Sequence, residues 1–315
     1  SVSDFKSSID ESSIATSIIN ELENGGELLL KGVVGSLSSF LLDRLKDHTT
    51  TQLVVTETDE QARIFKSDLS IISESEIIYF PATNHKPYDA DQIQDSSLLV
   101  QRSEAIQAIQ SAKKAIIITS AEALFDKVAP PSQINEVSIL VQRGTEIDPD
   151  KLRSELVDQA YQPVRFVDQP GEFAVRGGII DVFPFSGEYP IRLEFFGDEV
   201  ESIREFDASS QRSISFLNEV KIVPDLSNLP DVSKDSLLSY FDKNTLVVLK
   251  DSPLIHSVLD SKFKKAEDAF SEAAENSPDP FTLFLSKDEF ENEISSFDKL
   301  IYLGSINKKI GRAHV

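Results

Sequence analysis

The chain has 315 residues, 40% of them hydrophobic and 27% charged, enough for two or three domains with cores of their own. Its formal net charge of −22 opposes autonomous binding to phosphate-rich duplexes. With no cysteine there can be no disulfide, thiolate metal site or cysteine nucleophile. No apolar run reaches the ~20 residues needed to cross a bilayer. The first residues lack a basic flank leading into an apolar stretch, so no signal peptide is expected, and a cytoplasmic location fits.

Residues 27–33 (ELLLKGV) read as a buried strand, and residues 36–46 carry Leu37, Phe40, Leu41 and Leu45 at helical spacing. A strand at 52–56 and a helix at 59–69 follow, with Thr58 or Asp59 as its N-cap. Pro81 stops a strand at 77–80, and a helix at 98–111 leads to a strand at 115–119. This alternation implies an α/β layer with a mostly parallel sheet.

Pro130-Pro131 marks a boundary. Beyond it, residues 137–141, 173–176, 179–183 and 191–196 are strands close together in sequence, and residues 150–160 are the one clear helix. These features imply a small α+β domain with an antiparallel sheet, ending near Pro224. After a linker-like stretch at 226–230 the α/β pattern resumes. Residues 237–241 and 253–276 read as helices, and residues 245–249, 281–285 and 299–303 as strands. The expected organisation is therefore one α/β domain, residues 1–132 and 226–315, interrupted by an inserted domain at 133–225.

Gly32, Gly35, Ser36 and Ser38 lie between the first strand and its helix, where a phosphate-binding loop would be. A working loop needs Gly-Lys-Ser/Thr, with the lysine on the β/γ charge and the hydroxyl on magnesium. No lysine follows Gly35; only Lys31 is nearby, and it precedes the loop. The second acidic element of such a motor fails as well: the strand at 246–249 runs into Lys250-Asp251, and a lysine there would repel magnesium. Nucleotide hydrolysis is not expected, and neither a cofactor nor a metal is implied. The four histidines are scattered without ligand spacing.

Strand alternation at 189–196 places Tyr189, Ile191, Leu193 and Phe195 on one face and Arg192, Glu194 and Phe196 on the other. The first face reads as core. The second sets a large aromatic beside charges, a combination found at interface anchors. Arg176 lies on a neighbouring strand, and Gly177-Gly178 could form a bulge that aims its side chain. The plainer readings are a second hydrophobic layer over Phe196, and local pairing of Arg176 and Arg192 with Glu172, Glu194 or Asp181.

Two blocks carry a resemblance. One is YFPATNHKPYD at 79–89, with RSEA at 102–105 and IITSAEAL at 117–124. The other is PGEFAVRGGIIDVFP at 170–184, with PIRLEFFGDEVESIR at 190–204. The second block is similar to the inserted domain shared by UvrB and the bacterial transcription-repair coupling factors (the Mfd family). The coupling factors fit better, because UvrB has an intact phosphate loop and a Tyr-rich DNA-gripping hairpin after the Phe-Pro segment. Here the chain passes directly from Tyr88 to the helix at 98.

The resemblance implies a P-loop-NTPase-like, UvrB-like fold and a non-catalytic docking module that recruits the repair protein UvrA. The residues matching the family's UvrA contacts are Arg176, Arg192 and Phe196. RNA polymerase, DNA and the ATP-driven motor would be engaged by regions outside this chain. The alternative is a fragment of an ATP-dependent UvrB-like repair helicase; the missing loop lysine and Lys250 weigh against it.

Overall fold

The computed structural model describes residues 13–23, 25–33, 35–84, 86–89, 96–185, 187–224 and 233–304. Val34 of the loop, His85, the linker at 226–230 and the chain's end lie outside the described residues. Two compact units emerge. One comprises residues 1–92, 107–127 and 235–315, and the other residues 93–106 and 128–234.

The first unit opens with helix α1 (Ser13–Glu23), strand β1 (Gly26–Leu30), helix α2 (Leu37–Leu45), strand β2 (Thr51–Thr56), helix α3 (Asp59–Ile72) and strand β3 (Ile77–Tyr79). Helix α4 (Ser96–Ser111), whose residues up to 106 fall in the second unit, precedes strand β4 (Ala115–Ser120). Leu53, Val54 and Val55 of β2 are all fully buried. A continuous apolar run of this kind belongs to a parallel strand covered on both faces. Helix α3 starts where the sequence marks it: the Thr58 hydroxyl accepts from the Gln61 amide at 3.4 Å, and Asp59 and Glu60 place negative charge at the N-terminal end of the helix dipole.

The second unit contains strand β5 (Ile139–Gln142), helix α5 (Pro149–Asp158), the two-residue strand β6 (Gln162–Pro163), β7 (Glu172–Arg176), β8 (Ile179–Val182), β9 (Ile191–Phe196), β10 (Glu199–Phe206), β11 (Ser213–Leu217) and β12 (Glu219–Ile222). Six strands form one sheet in the order β11-β10-β9-β8-β7-β6, antiparallel except for the short β6–β7 pair. Strands β5 and β12 form a separate antiparallel pair. The inner face of the large sheet packs Phe173, Ile180, Val182, Ile191, Leu193 and Ile203 with Leu152 and Leu156 of α5. On the outer face a smaller cluster, Val167, Ala174, Phe183 and Phe206, covers only one end.

The chain returns to the first unit with strand β13 (Leu246–Lys250), the long helix α6 (Ser252–Glu272), helix α7 (Lys287–Ile294) and strand β14 (Lys299–Leu303). They complete a six-stranded, all-parallel sheet in the order β1-β14-β13-β2-β4-β3. A parallel α/β layer and a second unit with an antiparallel sheet are the fold class expected from sequence. The expected strand at 281–285 is instead a helical turn, Pro280–Leu283, because Asp279 caps it through the Phe281 amide at 2.8 Å and Pro280 fits the first helical turn. None of the helices among the described residues is long and apolar enough to cross a membrane.

In α7, burial pushes the Glu293 carboxyl up to about 7, against a smaller opposing hydrogen bond from Ser236, with Glu289 and Asp235 adding to the rise. The folded state then holds this proton more tightly than the unfolded chain. Its stabilising contribution is complete below an unfolded value near 4.5 and is lost as pH rises through about 7. Glu293→Gln should raise the melting temperature at pH 8 and change it little at pH 4.5. Equal shifts at the two pH values in thermal scans would refute this origin.

Candidate functional site

The outer face of the large sheet brings the three sequence-marked residues onto one surface. Strand register pairs Arg176 with Ile179, Asp181 with Arg192, and Ile179 with Glu194. Alternation does the rest: Ile191 and Leu193 turn into the core while Arg192, Glu194 and Phe196 turn out. Phe196 ends β9 with 80% of its surface exposed, so no second hydrophobic layer covers it among the described residues. Tyr189, expected on the core face, precedes the strand and is half-exposed, its hydroxyl donating to Glu188 at 3.2 Å.

The two arginines share one carboxylate. Asp181 is 1% exposed and accepts from Arg192 Nε at 2.7 Å and Nη2 at 2.9 Å, and it is also ion-paired with Arg176. Of the three candidate local partners, Asp181 is therefore the one used. Glu172 accepts instead from the amides of Asp168 and Gln169, and Glu194 from Arg204 and Ser202. Arg192 also donates to Gln211 at 2.8 Å and lies 4.3 Å from the Phe206 ring centroid. Its hydrogen bond to Asp181 raises its pKa further above the ordinary arginine value. Arg192 is thus a largely buried, clamped group rather than a freely exposed one, whereas Arg176 keeps about a third of its side chain in solvent, 4.9 Å from the Phe166 ring.

Gly177-Gly178 is not a bulge. It is the two-residue turn of the β7–β8 hairpin, with Gly177 at φ 60°. A side chain at Gly178 would meet the Phe195 carbonyl at 2.8 Å, so this glycine allows β9 to lie close alongside. The tight turn places Arg176 opposite Ile179, two residues before Asp181, and that spacing makes the shared ion pair possible.

The loop position in the first unit is a second candidate. Gly32 and Gly35 both take positive φ, 75° and 58°, as a strand-to-helix loop at this place requires. The Ser36 hydroxyl donates to Asp68 at 2.8 Å rather than capping α2, and Ser38 donates to the Gly35 carbonyl at 3.3 Å. A cavity of about 250 Å³ opens here, lined in part by Gly35, Ser38, Asp68, Lys250 and Asp251. Lys250, on β13, donates to Gln61 at 3.0 Å. The Ser36 hydroxyl and the Lys250 ammonium are thus both engaged by protein groups, and Asp68 and Asp251 add carboxylates to the lining, which disfavours an anion there.

Residues 139–227 match the UvrB interaction domain, and the outer face described above lies within that segment. Beyond that segment, the chain is similar to transcription-repair-coupling factors. It is 34% identical to that of Bacillus subtilis (strain 168) over 218 residues, 69% of this chain and 18% of the relative. It is 33% identical to that of Myxococcus xanthus over 216 residues, 66% and 18%, and 25% identical to that of Escherichia coli (strain K12) over 201 residues, 64% and 17%. The chain therefore spans less than a fifth of the length of the curated relatives it matches.

Proposed function

We propose that this chain is a non-catalytic docking module that binds the excision-repair protein UvrA through the outer face of its second unit, and that it serves to recruit UvrA to stalled transcription complexes. The observation that carries the reading is the meeting of Arg176, Arg192 and the 80%-exposed Phe196 on one sheet face inside the segment that matches the UvrB interaction domain. A large exposed aromatic on the same face as oriented guanidinium groups is the composition of an interface centre. The guanidinium edges not used by Asp181 suit carboxylates on a partner. RNA polymerase, DNA and an ATP-driven motor belong, in this proposal, to the longer protein of which this is one part. The test is titration of purified UvrA into this chain by calorimetry: saturable binding supports the reading, and no heat at tens of micromolar would remove it.

The loop in the first unit serves, on this reading, as a scaffold. Calorimetry with ATP and magnesium should show no binding, and steady-state assays no turnover, because a lysine, Lys250, ends the strand where a motor needs a carboxylate, and Asp68 holds the Ser36 hydroxyl. Micromolar binding or measurable hydrolysis would instead favour a helicase fragment.

A further inference from the structure

The outer face continues past Phe196, across β10 and β11. Register pairs Arg192 with Arg204 and Arg204 with Phe216, so one row crosses four strands: Asp181, Arg192, Arg204, Phe216. Phe216 is 72% exposed, and Ile214, two residues earlier on the same strand, is exposed as well. β11 is the edge of this sheet. An edge strand with apolar side chains in solvent invites unwanted pairing, and soluble folds usually blunt such edges with charge or cover them. Strand β11, SISFL, carries no charged residue. Its exposed Ile and Phe form a patch of the kind that is covered when the protein is at work.

Arg204 repeats the arrangement seen at Arg192. Glu194 holds one end of its guanidinium, and the Ser202 hydroxyl donates to the same carboxylate at 2.6 Å. Its Nε finds no hydrogen-bond partner in the fold. Ion pairing therefore orients Arg204, whose Nε is buried, while about a fifth of its side chain stays exposed. Arg176, Arg192 and Arg204 gather on one face of a chain whose net charge is −22. A partner that recognises this face rather than the rest of the molecule presents carboxylates around an apolar recess.

We infer that Arg204 and Phe216 form a second anchor pair of the docking face, with Phe216 filling an apolar recess in an acidic surface of the same partner that Phe196 contacts. This rests on the docking reading above and adds to it two residues on strands that reading does not use. The occupant is fixed by continuity: the row from Asp181 to Phe216 is unbroken, and it lies wholly within the matched segment 139–227.

The experiment titrates UvrA into the parent chain, Phe196→Ala, Phe216→Ala and Arg204→Ala, with sedimentation of each protein alone. Phe216→Ala should weaken binding at least about 10-fold, as a central aromatic anchor does, with an unchanged melting temperature. Arg204→Ala should weaken it in the same direction, and more at low than at high salt. If Phe196→Ala weakens binding while Phe216→Ala binds within about twofold of the parent, the second anchor is wrong and the docking reading stands. If the parent does not bind, or Phe196→Ala has no effect, the docking reading itself fails and the second anchor with it. If the parent sediments as a dimer that Phe216→Ala splits, the strand serves self-association, and the assignment to UvrA is overturned.

Discussion

Phe196→Ala should cost about 30-fold in affinity for UvrA, ~2 kcal/mol, without lowering the melting temperature. The side chain is 80% exposed at the end of β9, so its removal takes away almost no buried area from the folded chain. Everything it loses is lost in the complex, where it would bury an aromatic surface and exclude water from the arginine pairs beside it. That makes it a cleaner probe than Arg192. Arg192→Ala would also weaken binding, but it removes two of the bonds that satisfy Asp181 and uncovers the Phe206 ring. Part of its effect would therefore appear as lost stability. Ile191→Ala is the opposite control, with the side chain buried in the inner core, and it should destabilise by ~2–5 kcal/mol while the outer face keeps its composition. Isothermal titration on samples shown to be folded separates the three. Unchanged UvrA affinity in Phe196→Ala would overturn the docking reading of this face.

What could be read from sequence follows from the physics of each element. β9 was legible because apolar and polar residues alternate from Ile191 to Phe195 and one face is core, with Phe196 as the aromatic that breaks the pattern on the polar face. The parallel strands were legible as short apolar runs between helical segments, Leu53-Val54-Val55 and Ile116-Ile117-Ile118 among them. The run Phe281-Thr282-Leu283-Phe284-Leu285 misled, because a short apolar run alone does not distinguish strand from helix. The deciding signal was one step upstream, in Asp279-Pro280 as cap and first turn.

The exposed patch on β11 was missed for the opposite reason. Its apolar residues Ile214 and Phe216 face outward, which inverts the rule that reads an apolar alternation as a core face. The shared use of Asp181 depends on strand register and on the turn at Gly177-Gly178. Neither is a property of any one segment, so sequence could name Asp181 only as one of three partners.

Asp181→Ala should be the most damaging single change on this face, lowering stability by ~3–5 kcal/mol and abolishing UvrA binding together. Its carboxylate is 1% exposed and holds two guanidinium groups from strands on either side of β8. Truncation leaves Arg192, largely enclosed against Phe206, with Gln211 in place of a counter-charge. A buried cation without its anion costs far more than the pair contributes while intact. Arg176 and Arg192 would then repel one another and lose the orientation that aims them from the sheet. Asp181→Asn keeps the volume but replaces one acceptor oxygen with a donor facing a guanidinium, so it should lie between parent and alanine in both measurements. Urea is the right denaturant, since guanidinium chloride would screen the ion pairs being measured. A loss below about 1 kcal/mol in Asp181→Ala would show that the arginines stand without the clamp. Binding that persists in the folded fraction of that variant would show that the partner, and not Asp181, orients them.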